Sequence, residues 1–402
     1  MTETAHDTAA PAAGVADPPV GEFLISRGGP FFALQKQLGL LSRSALRSSR
    51  RAGLAVALAA GAPLALGLAL PGLGGAGAML SDPTFLARHV IAIAICFAME
   101  VTVETRVHDM LRRFGRTGVL LPAARPKLAS AVATALRLRN DAIAEAACLL
   151  LAIAVSVAAA RWRVSAGEPS WALIRDGEGF ALSPVGWWIT VVSMPLLWFL
   201  ILRWLWRYAV WAWLLTRLAQ LEMRLVATHP DRSGGIGFIG GYPNAFAMFA
   251  FALGSILAAA AWRRFAGVEL DAGAYAQLLS IWLVVVFGVF VTPLAAFARP
   301  LSRLRDETLV LCSRQETRRE RAAELRTLSA HAVSAEEREP SEDDMPDTKA
   351  FREAAQKLRV VPFSRAALLP LALAAVAPLL FVGAVLFNTV ELLRIAKGLL
   401  VF

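Results

Sequence analysis

The chain has 402 residues, of which 57% are hydrophobic and 18% charged, with a mean hydropathy of +0.55. A soluble chain of this length would carry roughly a quarter charged residues, so the composition excludes an ordinary soluble domain and points to a membrane protein. The net charge of +10 does not imply nucleic acid, because the basic residues flank apolar runs as orientation signals do, and no RNA-binding or zinc-finger signature accompanies them.

Residues 1–20, rich in Ala, Pro, Thr and Asp, read as a disordered tail. Residues 21–51 read as a basic amphipathic arm. Gly28-Gly29-Pro30 breaks the chain, Phe31, Phe32, Leu34, Leu38, Leu40 and Leu41 follow, and Arg43, Arg47, Arg50 and Arg51 come next. Such an arm suits an interfacial helix on the cytoplasmic leaflet, or a solvated segment before the membrane. The first long apolar run begins near Gly53, too far along for the core of a cleavable signal peptide.

A helical span needs about 20 mostly apolar residues. Such stretches lie near 53–72, 84–105, 142–160, 184–203, 243–262, 275–298 and 366–389, predicting an all-α, polytopic membrane bundle of about seven spans. The arm and the link after the second span are rich in Arg, while Gly72 to Pro83 has neither Lys nor Arg. This alternation predicts a cytoplasmic N-terminus; one span more or fewer would reverse the side of the C-terminal tail. The fourth segment is apolar from Trp187 to Leu225 but interrupted by Arg203 and Arg207, with Trp198, Trp204, Trp206, Trp211 and Trp213 around them. It reads as one crossing that ends near Arg203 at an aromatic belt, the helix continuing along or below the cytoplasmic surface, with a helical hairpin as the rival. The six-span core covers 52–298. Residues 299–365 read as a small helical cytoplasmic lobe with an acidic linker from Glu336 to Asp347, and 366–402 as the last span and a short tail.

Two places could carry chemistry. The first is the glycine-rich turn 229–243, where His229, Asp231, Arg232, Ser233, Gly234, Gly235 and Gly237 crowd together before an apolar span. Converging backbone N–H groups and a helix start there could bind a phosphate or an anionic lipid head group. A tight turn capped by Asp231 or Ser233 is the plainer reading. The formal G-x-G-x-x-G from Gly235 to Gly240 lacks the strand and the later acidic residue of a dinucleotide site.

The second place is the second span. Residues 89, 93, 96, 100 and 104 fall on one helical face, so His89, Glu100 and Glu104 could line a polar track, with His108 one turn beyond. Ionisable groups inside a span often mark ion paths; ion pairing near the head groups with Arg106, Arg112 or the arginines of span four is the structural alternative. Asp141 and Glu145 open the third span, where the helix dipole favours acids, and Asn388 and Glu391 close the seventh. No cofactor, catalytic triad or metal-ligand spacing is evident, although His229, Asp231, Glu104 and His108 could meet on the cytoplasmic side. Cys96, Cys148 and Cys312 form no C-x-x-C pair.

Three motifs carry a resemblance: Gly28-Gly29-Pro30-Phe31-Phe32-Ala33-Leu34-Gln35, His229-Pro230-Asp231-Arg232-Ser233-Gly234-Gly235-Ile236-Gly237-Phe238, and Val360-Val361-Pro362-Phe363-Ser364. With them the chain resembles a set of uncharacterised bacterial inner-membrane proteins, which implies a multi-pass architecture and no particular activity. The functional expectations are therefore three: transport or ion conduction along the second span, a scaffold or sensor that binds a cytoplasmic protein or a second copy of the chain, and an enzyme acting on a phosphorylated head group at His229, Asp231 and Arg232.

Overall fold

In lipid, every backbone N–H and C=O must be satisfied within the protein, so long apolar segments fold as helices. The computed structural model describes residues 24–40, 48–70, 75–167, 170–177, 179–265, 272–328 and 348–387. Among these, seven helical stretches are long and apolar enough to cross a membrane: Ser48–Ala69, Pro83–Arg116, Pro122–Ala166, Pro184–Ala219, Gly237–Phe265, Ala272–Leu328 and Arg365–Leu386, here spans 1 to 7. The fold is an all-α membrane bundle. The first and last expected tails, the acidic linker, Asn388 and Glu391 lie outside the described residues.

Spans 2, 4 and 5 form the centre and bury half or more of their apolar windows, while the other four bury a third or less and face outward. Alternating crossings put the N-terminal segment, the 2–3 and 4–5 links and the extension of span 6 at one end, the basic end. The described parts of the 1–2 and 3–4 links, with the ends of spans 5 and 6 at Phe265 and Ala272, lie at the far end. The 3–4 link holds a short antiparallel hairpin, Leu173–Asp176 with Gly179–Leu182, after which Ser183 caps span 4 through the Gly186 N–H at 2.9 Å.

Span 4 is one continuous helix from Pro184 to Ala219, as the continuing-helix reading expects and not the hairpin; the departure is in the setting of Arg203 and Arg207, which are 2% and 1% exposed inside the bundle. A helix at the centre of a bundle is buried all round, so its apolar run outlasts a single bilayer crossing. Trp204 and Trp211 belong to this core and not to an interfacial belt. The Trp204 indole donates to the Cys96 carbonyl at 2.9 Å and Trp206 to that of Leu138 at 3.1 Å.

Span 6 crosses as Ala272–Val291, tightens into a 3-10 turn at Thr292–Phe297 and continues as the helix Ala298–Leu328. Pro293 has no N–H to give to the carbonyl of Val289; the Tyr208 hydroxyl donates to it instead. A short helix, Lys349–Gln356, returns along the extension and pairs Arg352 with Glu316. In span 7 the Asn244 amide inserts beside Pro370, donating to Ala367 O and accepting from Leu371 N. Spans 5 and 7 come into backbone contact, where a Cβ on Gly254 would lie 2.5 Å from Ala375 O. Small residues allow such close approach between membrane helices.

Candidate functional site

The N-terminal segment is the largest departure from expectation. Ile25 and Ser26 are 1% exposed and Gln35 is 5% exposed, so residues 24–37 are seated among the spans rather than lying wholly along an interface. Leu34 and Leu38 of the same segment face outward. Gly28 and Gly29 make the entry possible, with φ of 102° and 84°, values that L side chains rarely adopt. A Cβ on Gly28 would overlap the Asn140 side chain, and one on Gly29 would lie 2.5 Å from the Glu145 carboxylate. Pro30 then starts the helix Pro30–Gln37, whose cap is supplied from span 3: Glu145 accepts the Phe31 N–H at 2.8 Å.

Gly29→Ala is expected to unseat this segment. The left-handed conformation alone costs about 1–2 kcal/mol, and the new methyl also displaces the carboxylate. Thermal unfolding in detergent should show a lowered midpoint, whereas Gly39→Ala, which meets nothing within 4 Å, should pay the conformational cost alone. Equal losses at the two positions would sink the steric argument.

Around this segment lies a network of buried charges. Arg51 of span 1 holds Glu100 with both guanidinium nitrogens, the longer bond at 3.0 Å, and stacks over Phe97. Arg203 of span 4 holds Glu145 at 2.8 Å and lies over the Phe31 ring. Glu104 accepts from Ser26 and, at 3.0 Å, from Arg27. Arg207 donates to the carbonyls of Ser26 and Gly28, and Arg139 to that of Leu24. Three carboxylates (Glu100, Glu104, Glu145) and four arginines (Arg51, Arg139, Arg203, Arg207) are thus buried together, each at most 8% exposed. Glu104 takes Arg27 as its ion partner, so Arg139 and Arg207 are both met by carbonyl oxygens of the N-terminal segment. Bidentate and charge-assisted bonds of this kind compensate desolvation that a lone buried charge could not survive.

Of the residues singled out on span 2, Glu100 and Glu104 come together in this network. His108 does not: it is half-buried, and its Nδ1 finds no partner among the described residues. His89 is 2% exposed at the far end, and the face between it and Glu100 is filled by Ile93 and Cys96, at 0% and 1%. The sequence reading offered the span-4 arginines as partners of Glu100 and Glu104, whereas Arg203 pairs with Glu145 and Arg207 with backbone carbonyls. It missed Arg51, Arg139 and Glu145 as partners.

The 229–243 turn is organised around its own carboxylate. Asp231 accepts from the backbone N–H groups of Ser233 at 2.8 Å, Gly235 at 3.2 Å and Gly237 at 2.8 Å, with His229 Nδ1 2.9 Å away. Burial raises the Asp231 pKa, but these backbone donors and His229 outweigh it and hold the carboxyl below its ordinary value. The converging N–H groups are therefore already occupied by an internal anion. Arg232 (φ 53°), Gly234 and Gly235 supply the positive φ values the turn requires. The Arg232 carbonyl accepts the Arg359 N–H at 2.8 Å, and a Cβ on Gly240 would overlap Pro362. The 229–238 and 360–364 stretches are thus one packed unit at the basic end. Ser233 is buried, its hydroxyl donating to the Asp231 carbonyl. A cleft of about 550 Å³ beside the turn also carries Arg113 and Arg224.

Among the described residues no group of three or more His, Cys, Asp or Glu side chains could hold a metal ion, so Glu104, His108, His229 and Asp231 do not converge as ligands. Compared with protein-family models, with curated proteins and with solved structures, the chain matches none, and its function has to be argued from this geometry.

Proposed function

We propose that this chain is a multi-pass transport protein of a bacterial inner membrane, N-terminus in the cytoplasm, whose ion-handling part is the charge network around Glu100 and Glu104. One observation carries the reading: seven charged side chains are buried inside a membrane bundle and closed by a re-entrant N-terminal segment. Ionisable groups at such depth are costly and are commonly retained along ion or proton paths. A network whose acceptors include loop carbonyls, rather than helix side chains alone, can exchange partners if that loop moves. The apolar stretch around Ile93 and Cys96 favours a closed, alternating device over a continuously open pore. The Arg-rich links at the basic end support its cytoplasmic placement.

The test is flux in proteoliposomes, read with proton-, cation- and chloride-sensitive dyes. Glu100→Gln with Glu104→Gln is expected to abolish it. Because the single-sign change strands Arg51, a second variant, Arg51→Gln with Glu100→Gln, removes a pair together and separates folding from transport. Flux retained at wild-type level by both folded variants, or no flux of any ion from folded wild type, would overturn the proposal. A scaffold reading is favoured by a different observation: Val310, Leu311, Leu325 and Leu328 lie 44–62% exposed along the helix Ala298–Leu328. A protein partner or a second copy could cover them, and lysis-free crosslinking at Leu311 would report it.

A further inference from the structure

The far end of the bundle holds a cavity of about 790 Å³ between spans 2, 3, 4 and 5. Its rim is basic: Arg88 and Arg163 line it with Arg263, against one lining carboxylate, Asp82. That carboxylate is already engaged, accepting the Thr84 N–H at 2.8 Å and the Trp171 indole at 3.2 Å. Among the described residues no acid lies within ion-pair distance of Arg88 or Arg163, although the two are within electrostatic range of each other and of Arg263. Asp82 acts on both arginines electrostatically without pairing with either, and two guanidinium groups sharing one engaged carboxylate are costly in a site shielded from water. Below the rim the wall is apolar, with Val155, Leu197, Ile201 and Ile256.

A second observation points to a ligand. His89 is 2% exposed, lines the cavity, and its Nδ1 has no hydrogen-bond partner among the described residues; the Trp198 indole nitrogen and the Ser170 and Thr84 hydroxyls, also lining, have none there either. Buried polar atoms are nearly always satisfied, so four orphans around one cavity mark where polar atoms of an occupant belong. The chain also departs from regular α-helix here. π-Helical turns at Ala87–Ala92 and Ile189–Ser193 carry the lining residues Arg88, His89 and Ile189, and such turns recur at functional sites.

We propose that this cavity binds an amphiphilic oxyanion, its phosphate-type head held by Arg88 and Arg163 with His89 and Trp198, and its apolar body along span 4. Guanidinium groups match phosphate and carboxylate oxygens geometrically, and the apolar wall would have nothing to contact on a small free ion. The site is separate from the Glu100 network and does not depend on its transporting anything.

The experiment uses the full chain in neutral-lipid nanodiscs. One arm adds phosphatidylglycerol and the other inorganic phosphate, with binding followed by native mass spectrometry and tryptophan fluorescence. Saturable binding of one phosphatidylglycerol is expected, weakened about tenfold or more by Arg88→Gln with Arg163→Gln, as loss of charge-assisted bonds requires. Arg88→Lys with Arg163→Lys keeps the charge but not the guanidinium fork and should bind between wild type and the Gln variant, and the exposed basic-end Arg303→Gln should change nothing. Neither arginine has an ion partner to strand, so the neutral variant should stay folded, which its melting midpoint checks. Saturable phosphate binding with no gain from an acyl chain would overturn the amphiphile assignment. Binding of neither probe, or lipid binding indifferent to Arg88 and Arg163, would overturn the site.

Discussion

Glu145→Ala is expected to destabilise the folded bundle by about 3–5 kcal/mol, the usual cost of leaving one member of a buried ion pair alone. Glu145 is 5% exposed and Arg203 2%, so water cannot replace the lost acceptor. The substitution also removes the cap from the Phe31 N–H, which releases the helix Pro30–Gln37 from span 3. Loss should therefore spread beyond the pair itself. Unfolding of the detergent-solubilised protein, followed by helicity against denaturing surfactant, provides the measurement. Removing both charges, as Glu145→Leu with Arg203→Met, should recover much of the loss, because an apolar pair of similar volume needs no compensation. If the double variant is no more stable than the single one, the ion pair is not the source of the effect.

Asp231→Ala should have the next largest effect, about 2–3 kcal/mol, since one carboxylate serves three backbone donors and bonds to a charged acceptor are the stronger kind. The side chain is 23% exposed, so water recovers part of the loss and keeps the figure below the sum of three bonds. Asp231→Asn keeps an acceptor oxygen and should fall between. The carboxyl is held below its ordinary value of about 3.9, and that depression fixes the sign of the pH effect. Its stabilisation is complete above the unfolded-state pKa and is lost as pH falls through the lower folded-state value. Melting midpoints of wild type and Asp231→Ala should accordingly converge below about pH 4 and separate at neutral pH. A constant difference across that range would show that packing, and not the charge, stabilises the turn.

The crossings were legible in the sequence because lipid imposes both length and apolarity on each of them. Glu100 and Glu104 could likewise be placed on one face from helical periodicity alone. Their partners could not be read, because Arg51 lies 49 positions before Glu100, and Arg203 lies 58 after Glu145. Nothing local in a sequence encodes a pairing of that range. Arg203, Arg207 and the surrounding tryptophans illustrate the ambiguity well. The same residue types that anchor a helix at a head-group boundary also build a polar seam at a bundle's centre, and only the neighbours decide which. The glycine-rich turn was visible as a turn with converging donors, while its occupant, the Asp231 carboxylate, depended on backbone geometry that composition does not specify. Gly28-Gly29-Pro30 was legible as a break but not as an entry point, since the Asn140 and Glu145 side chains that demand glycine come from span 3.

The seating of residues 24–37 also sets an order of events during synthesis. These residues leave the ribosome before any of the seven spans, yet the Arg207 guanidinium that grips the Ser26 carbonyl is made 181 positions later. Spans 1 to 3 enter the membrane before Arg207 exists to hold the segment, and Glu145 waits 58 positions for Arg203. The N-terminal segment is therefore the last piece of the first half to find its place, and docking it reports that four crossings have inserted in the correct sense. A nascent chain stalled before Arg203 should leave this segment open to protease, and one released after span 4 should not.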